Sequence, residues 1–161
     1  MKDPIIAVFN FNAAYARRLV EDIPEDKQAD QPADIPNHPA WVIGHLANTA
    51  DFGLENLGRD RNMPAGWAEK YGNASTPVAD RSQYPAMSEL LDHLDRNYAV
   101  LIEAFRATDD ATLAAATPVE RVRTFFPLTG NLITFILTSH ASMHLGQVSS
   151  WRRAAGLGSV F

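Results

Sequence analysis

Four stretches of this chain repeat apolar side chains at the 3.6-residue period of an α-helix, and no convincing pair of strand-like runs stands between them. That periodicity restricts the fold more than any other feature: four amphipathic helices bury their apolar faces only by packing on one another. The reading is all-α, a four-helix bundle formed by one domain spanning residues 1–161. There is no internal repeat.

The first segment runs from about Pro4 to Val20, with Asp3 as N-cap and Pro4 in the first turn. Its face is Ile5, Val8, Phe9, Asn12, Tyr15 and Leu19. Asn12 is the polar exception, read as bonded within the core, the alternative being a group that lines a pocket. The second segment, about Asn37 to Leu57, takes Asn37 as N-cap and Pro39 as an early helical residue. Trp41, Val42, His45, Leu46, Thr49, Phe52 and Gly53 form its stripe, and Gly44 leaves room for a close approach. The third, about Ala86 to Ala107, buries Met87, Leu90, Leu91, Leu94, Tyr98, Leu101, Ile102 and Phe105. His93 falls off that face and is expected to be exposed. The fourth and longest, about Gly130 to Ala155, turns Ile133, Ile136, Leu137, His140, His144, Gln147, Val148 and Trp151 inward and ends at Gly156 and Gly158. Arg152 and Arg153 suit the negative end of its dipole, solvated at the helix end.

The connections are uneven. Residues 21–36 are acidic, and Pro24, Pro32 and Pro36 exclude a continuous helix. Residues 58–84 are long and rich in glycine and proline, with a short helical turn at Ala65–Tyr71. Arg59, Asp60 and Arg61 read as solvated, and Trp67 and Tyr71 as a cap over the bundle. After a turn at Asp109–Ala116, residues 117–128 read as a loop or a short extended stretch. Long connections in compact domains often cover a functional site.

Composition removes several chemistries. With no cysteine there is no disulfide framework, zinc–thiolate site, iron–sulfur cluster or cysteine nucleophile. The net charge of −5 and the lack of any Lys/Arg cluster beyond adjacent pairs argue against a nucleic-acid binder. The short apolar run Ile5–Phe9 is no signal peptide, and no run approaches the roughly 18 residues of a membrane span. A cytoplasmic protein without membrane contact is expected.

Any metal must therefore be held by His, Asp, Glu or solvent. His140 and His144 lie four residues apart, on one face of a helix. His45 lies on the inward stripe of another helix. Three imidazoles with a fourth position left open make a catalytic rather than a structural metal site. Burying three such rings with no shared purpose would cost considerable desolvation. Zinc or nickel is the first expectation, iron or manganese the next, since imidazole does not choose sharply among them.

Two blocks carry a resemblance: His38-Pro-Ala-Trp41-Val-Ile-Gly44-His45-Leu, and His140-Ala-Ser-Met-His144-Leu-Gly-Gln147 followed by Trp151-Arg152-Arg153 and Gly156-Leu157. In order and spacing they resemble the signature of the DinB/YfiT-like superfamily, and the likeness covers essentially the whole chain. It implies an up-down-down-up bundle with a long second-to-third connection, a divalent metal on His45, His140 and His144, and often a homodimer. By position, Gln147 matches a residue supporting the ligands and Gly146 a small residue at a close helix contact. Leu145 stands where relatives often have arginine, so no role is carried over there.

The resemblance also implies an activity. Characterised relatives include thiol S-transferases and a thiol-dependent isomerase. The expectation is a metal-dependent thiol transferase acting on a small electrophile, with the pocket mouth near His38, Asn48 and the 21–36 and 58–84 connections. Asn48 could bond substrate, and Arg152 or Arg153 an anionic part of the thiol. A non-enzymatic metal-binding stress-response or interaction bundle is the alternative. A metal hydrolase ranks lower, because Asp51 and Glu55 are not clearly on the face of His45.

Overall fold

The computed structural model describes residues 2–160; Met1 and Phe161, part of the expected 1–161 span, lie outside the described residues. The secondary structure described is helical, with one isolated antiparallel bridge between Ala116 and Leu128 and no strand. The long elements are α1 (Lys2–Val20), α2 (Pro39–Asn56), α4 (Met87–Ala107) and a final rod. That rod is α7 (Thr129–Phe135), a π turn (Ile136–His140) and α8 (Ala141–Ala154) in unbroken succession. Short helices α3 (Trp67–Tyr71), α5 (Asp110–Ala114) and α6 (Glu120–Arg123) lie in the connections. The stretch 117–128 is thus partly helical, against the expectation of a loop or extended segment.

Helix α2 is the centre of the core. Every residue from Pro39 to Asn48 is buried, as a run so dense in small and apolar side chains requires. Its cap is His38, not the expected Asn37: His38 Nδ1 accepts from the Trp41 backbone N–H at 3.3 Å. In α1 the helix already begins at Lys2, so Asp3 is inside the first turn rather than capping it, where its charge still complements the dipole. The buried face is Ile6, Phe9, Asn12, Ala16 and Leu19, while Val8 is 45% exposed. The expected stripe is therefore rotated slightly, because two acceptable faces overlap in this apolar segment.

Helix α4 buries the expected residues except Leu91, which is half-buried, and it also buries Asn97, whose Nδ2 donates to Ala47 O in α2 at 3.1 Å. His93 is half-buried against the Trp67 ring, with centroids 4.5 Å apart, and not exposed as its off-face position suggests. Phe9 of α1 meets Tyr98 of α4 edge-on. Asn12 is bonded within the core, as expected. Its Nδ2 donates to Thr138 O and its Oδ1 accepts from Ser142 Oγ. Carbonyls of a π turn leave the regular helical ladder, and Asn12 supplies a partner for one of them.

Arg152 is a structural residue, not the solvated helix-end charge expected. It is 2% exposed, donates to Leu19 O at 2.9 Å and to Gly158 O at 3.3 Å, and forks onto both oxygens of Asp22. The bond from Arg152 holds the Asp22 carboxyl below its usual range. Arg152→Ala is expected to lower the unfolding free energy by about 2–3 kcal/mol; Asp22 stays half-solvated, which keeps the loss below that of a fully buried pair. Arg153, which among the described residues bonds only Ser149, is solvated as expected, and Arg153→Ala should stay within about 0.5 kcal/mol. Urea unfolding of both variants checks the contrast.

Candidate metal centre

His45 sits midway along α2, His140 closes the π turn and His144 follows one turn later in α8. The fold brings all three together: one ring nitrogen from each lies within 4.8 Å of the others. Nε2 of His45 and Nε2 of His140 are 3.1 Å apart. Two nitrogens bound to one tetrahedral ion at roughly 2.0–2.1 Å would stand about 3.3 Å apart. No carboxylate joins the group among the described residues.

Hydrogen bonds behind the rings fix which nitrogens face inward. His45 Nδ1 is 2.6 Å from Tyr71 O, and a carbonyl only accepts, so Nδ1 carries the proton and Nε2 the lone pair. His144 Nδ1 donates to Gln147 Oε1 at 2.9 Å, and Asn37 Nδ2 donates to the same oxygen at 3.0 Å. His144 Nε2 is thereby also left unprotonated. Burial, reinforced by the neighbouring imidazoles, pushes His45 down to about 4 and His140 down to about 3; burial lowers His144 as well. Two neutral imidazoles with inward lone pairs, and the His140 ring nitrogen beside them, form a centre that suits a divalent cation.

The supporting groups come from places the periodicity does not mark. Tyr71, read from sequence as part of a cap, is fully buried and supplies the carbonyl that orients His45. Its ring lies directly over Gly44, the close approach that the glycine foreshadowed. Trp41 stacks flat on His45 at 4.6 Å. Gln147 supports a histidine, as its position in the motif implied. Gly146 faces open space and makes no close helix contact, contrary to the expectation from the motif.

A cavity of about 180 Å³ opens beside His140, with Asn48, Phe52, Arg121, Phe126 and Phe135 among its walls. Asn48 lines it as expected, its Oδ1 held by Arg61 at 3.1 Å. The 58–84 connection contributes Arg61, Ala68, Gly72 and Asn73. Two other elements expected at the mouth are elsewhere. His38 is buried in its cap, Nε2 donating to Val78 O, and the 21–36 connection folds over Trp151, whose Nε1 donates to Asp30 O. The opposite wall is instead the 117–128 stretch. Arg61, expected to be solvated, bonds the buried Asp51 at 2.8 Å. Asp51 also accepts from Asn62 N, so this carboxylate ties down the connection and is no free base for hydrolysis.

No helix among the described residues is long and apolar enough to cross a membrane. No curated protein matches the chain, and neither does any solved structure. The family model of the DinB superfamily matches residues 9–148. That span runs from the middle of α1 into α8 and takes in all three histidines and Gln147. On a match of this extent, the chain belongs to the DinB superfamily.

Proposed function

We propose that this protein is a divalent-metal-dependent thiol transferase acting on a small electrophile, folded as a single up-down-down-up bundle. The order of contacts supports that topology. Asn12 and Leu19 of α1 meet Thr138 and Arg152 of the last rod in parallel, and Ala47 and Gly53 of α2 meet Asn97 and Leu101 of α4 in parallel. His45 and Asn37 meet His140 and Gln147 in antiparallel order.

The observation that carries the functional reading is the convergence of three imidazole nitrogens at the edge of a small cavity with Phe52, Phe126 and Phe135 in its wall. An ion on His45, His140 and His144, zinc or nickel before iron or manganese, would supply Lewis acidity that lowers the pKa of a thiol. The chain's own residues do the rest. Tyr71 O and Gln147 Oε1 hold two rings with their protons turned outward. Phe52, Phe126 and Phe135 exclude water from the cavity, and Asn48 offers its remaining amide donor to a ligand there. The non-enzymatic alternative shares the imidazoles but gives the cavity beside them no use.

The test is elemental analysis of untagged protein, wild type against His140→Ala/His144→Ala, followed by a thiol-transfer assay on each. Near-stoichiometric metal and saturable turnover are expected in the wild type, with both lost in a variant that keeps its helical circular dichroism. A wild type that takes up none of zinc, nickel or manganese would sink the proposal. Metal without turnover across a thiol panel would leave the non-enzymatic reading.

A further inference from the structure

The cavity beside His140 has a charge pattern that thiol transfer alone does not require. Two arginines line it, and they are not equivalent. Arg61 is neutralised: its Nε bonds Asp51, NH2 bonds Asn48 Oδ1, and NH1 lies 3.6 Å from Glu55. Arg121 lies over the Phe52 ring, 5.0 Å from its centroid, and no carboxylate is within ion-pair distance of it among the described residues. Arg121 is exposed, so its guanidinium is open to a ligand entering the cavity from solvent.

The local fold explains why Arg121 is the free one. The 117–128 stretch is pinned at its base, where Thr117 N donates to Pro127 O, Thr129 N donates to Ala115 O and Thr117 Oγ1 donates to Phe126 O. Arg123 is used inside the loop, its Nε on Thr117 O and NH2 on Pro118 O. The loop therefore holds its backbone with one arginine and presents the other, with Val122 and Phe126, to the cavity. Phe52, Leu132, Phe135 and Ile136 give the other walls their apolar part, and Asn48, Thr49, Asn73 and His140 are polar points. At about 180 Å³ the space is below the roughly 300–1,000 Å³ of drug-sized pockets.

We propose that this cavity binds a small one-ring or similarly flat apolar molecule carrying a carboxylate, with the carboxylate on the Arg121 guanidinium and the apolar body against Phe52, Phe126 and Phe135. The guanidinium fork matches a carboxylate, and stacking on Phe52 holds it in place. The proposal deepens the reading of the site as a transferase centre by assigning the class of molecule it accepts, and its binding step does not need the metal.

The experiment is isothermal titration with cinnamate and its uncharged isostere cinnamamide, on wild type, Arg121→Gln, Arg121→Lys and the surface control Arg59→Gln. Each protein is measured metal-stripped and zinc-loaded, with helical circular dichroism as the folding check. An added arm uses 2-mercaptobenzoate, which separates a thiol-bearing acid from an acid without a thiol. The wild type and Arg59→Gln should favour cinnamate over cinnamamide by roughly tenfold with and without zinc. Arg121→Gln should lose that preference and Arg121→Lys keep part of it. Tighter binding of the mercapto acid only with zinc would identify the anionic ligand as the thiol partner; equal binding would identify it as the electrophile. Equal affinity for acid and amide, no binding of either to folded wild type, or a preference that survives Arg121→Gln would overturn the proposal. A preference that needs zinc and ignores Arg121 would show the carboxylate on the histidine centre, which spares the metal reading and ends this one. Arg121-dependent binding in a protein that takes up no metal would do the reverse.

Discussion

Gly44→Ala is expected to destabilise the protein by about 1–3 kcal/mol and to weaken metal binding by roughly 10- to 100-fold, although the methyl touches no ligand atom. A Cβ at position 44 would fall 2.6 Å from Cζ of Tyr71 and closer still to its Cε1, well inside van der Waals contact. The ring cannot yield alone, because Tyr71 is fully buried and packs against Trp67 at 4.9 Å. Moving Tyr71 moves its carbonyl, and that carbonyl sets the proton position and ring orientation of His45. Gly146→Ala is the matched control: nothing lies within 4 Å of its Cβ, and an exposed helical alanine should gain up to about 1 kcal/mol. Thermal unfolding together with zinc competition against a chromophoric chelator reads both effects. A Gly44→Ala protein that melts and binds zinc like the wild type would show that Tyr71 does not orient the site.

Acidification of the metal-free protein from pH 7 to pH 5 is expected to cost stability on the order of 2 kcal/mol for each of His38, His45 and His140. Burial is the main cause in all three, holding His38 and His45 near 4 and His140 near 3, below the unfolded value of 6.5. Between the folded and unfolded values the unfolded chain binds protons that the folded chain refuses. Unfolding therefore takes up protons, and stability falls as pH drops below about 6.5 until the folded rings themselves titrate. His38 isolates the effect from the metal centre. His38→Asn keeps a good capping side chain and removes one titrating ring, so its stability should fall less steeply with acid. Urea unfolding at pH 7, 6 and 5 measures the slopes. A wild type equally stable at pH 7 and pH 5 would contradict the assignment of buried neutral imidazoles.

What could be read from the sequence was what local spacing encodes. The apolar stripes of α2, α4 and the last rod fall where the 3.6-residue period puts them, and His45, His140 and His144 were visible as inward residues on two helices. The residues missed are those whose partners are remote in sequence. Nothing near Arg61 announces Asp51, nothing near Tyr71 announces His45, and Arg152 reads as a helix-end charge until Leu19, Asp22 and Gly158 arrive around it. The 117–128 wall was missed for a related reason. Its apolar residues are interrupted by Glu120, Arg121 and Arg123, so they show no period, and only the pinning of the loop turns Val122 and Phe126 inward. Gly44 was the one local sign of an invisible partner, since it marks a close approach without saying what approaches.

The π turn at Ile136–His140 works as a phase adjuster in the last rod. Ile133, Leu137, Ala141, Leu145, Val148 and Arg152 make one continuous buried line, yet their spacing is slightly too long for an unbroken α-helix. The widened turn absorbs one residue, so the apolar line stays on the core both before and after it. The chain length between Phe135 and Ala141 is thus a tuned quantity. Removing a single residue there would swing everything downstream by about 100° relative to α7. Either His144 or the Arg152 anchor would then lose its place, which makes this rod sensitive to deletions of a kind that surface loops absorb freely.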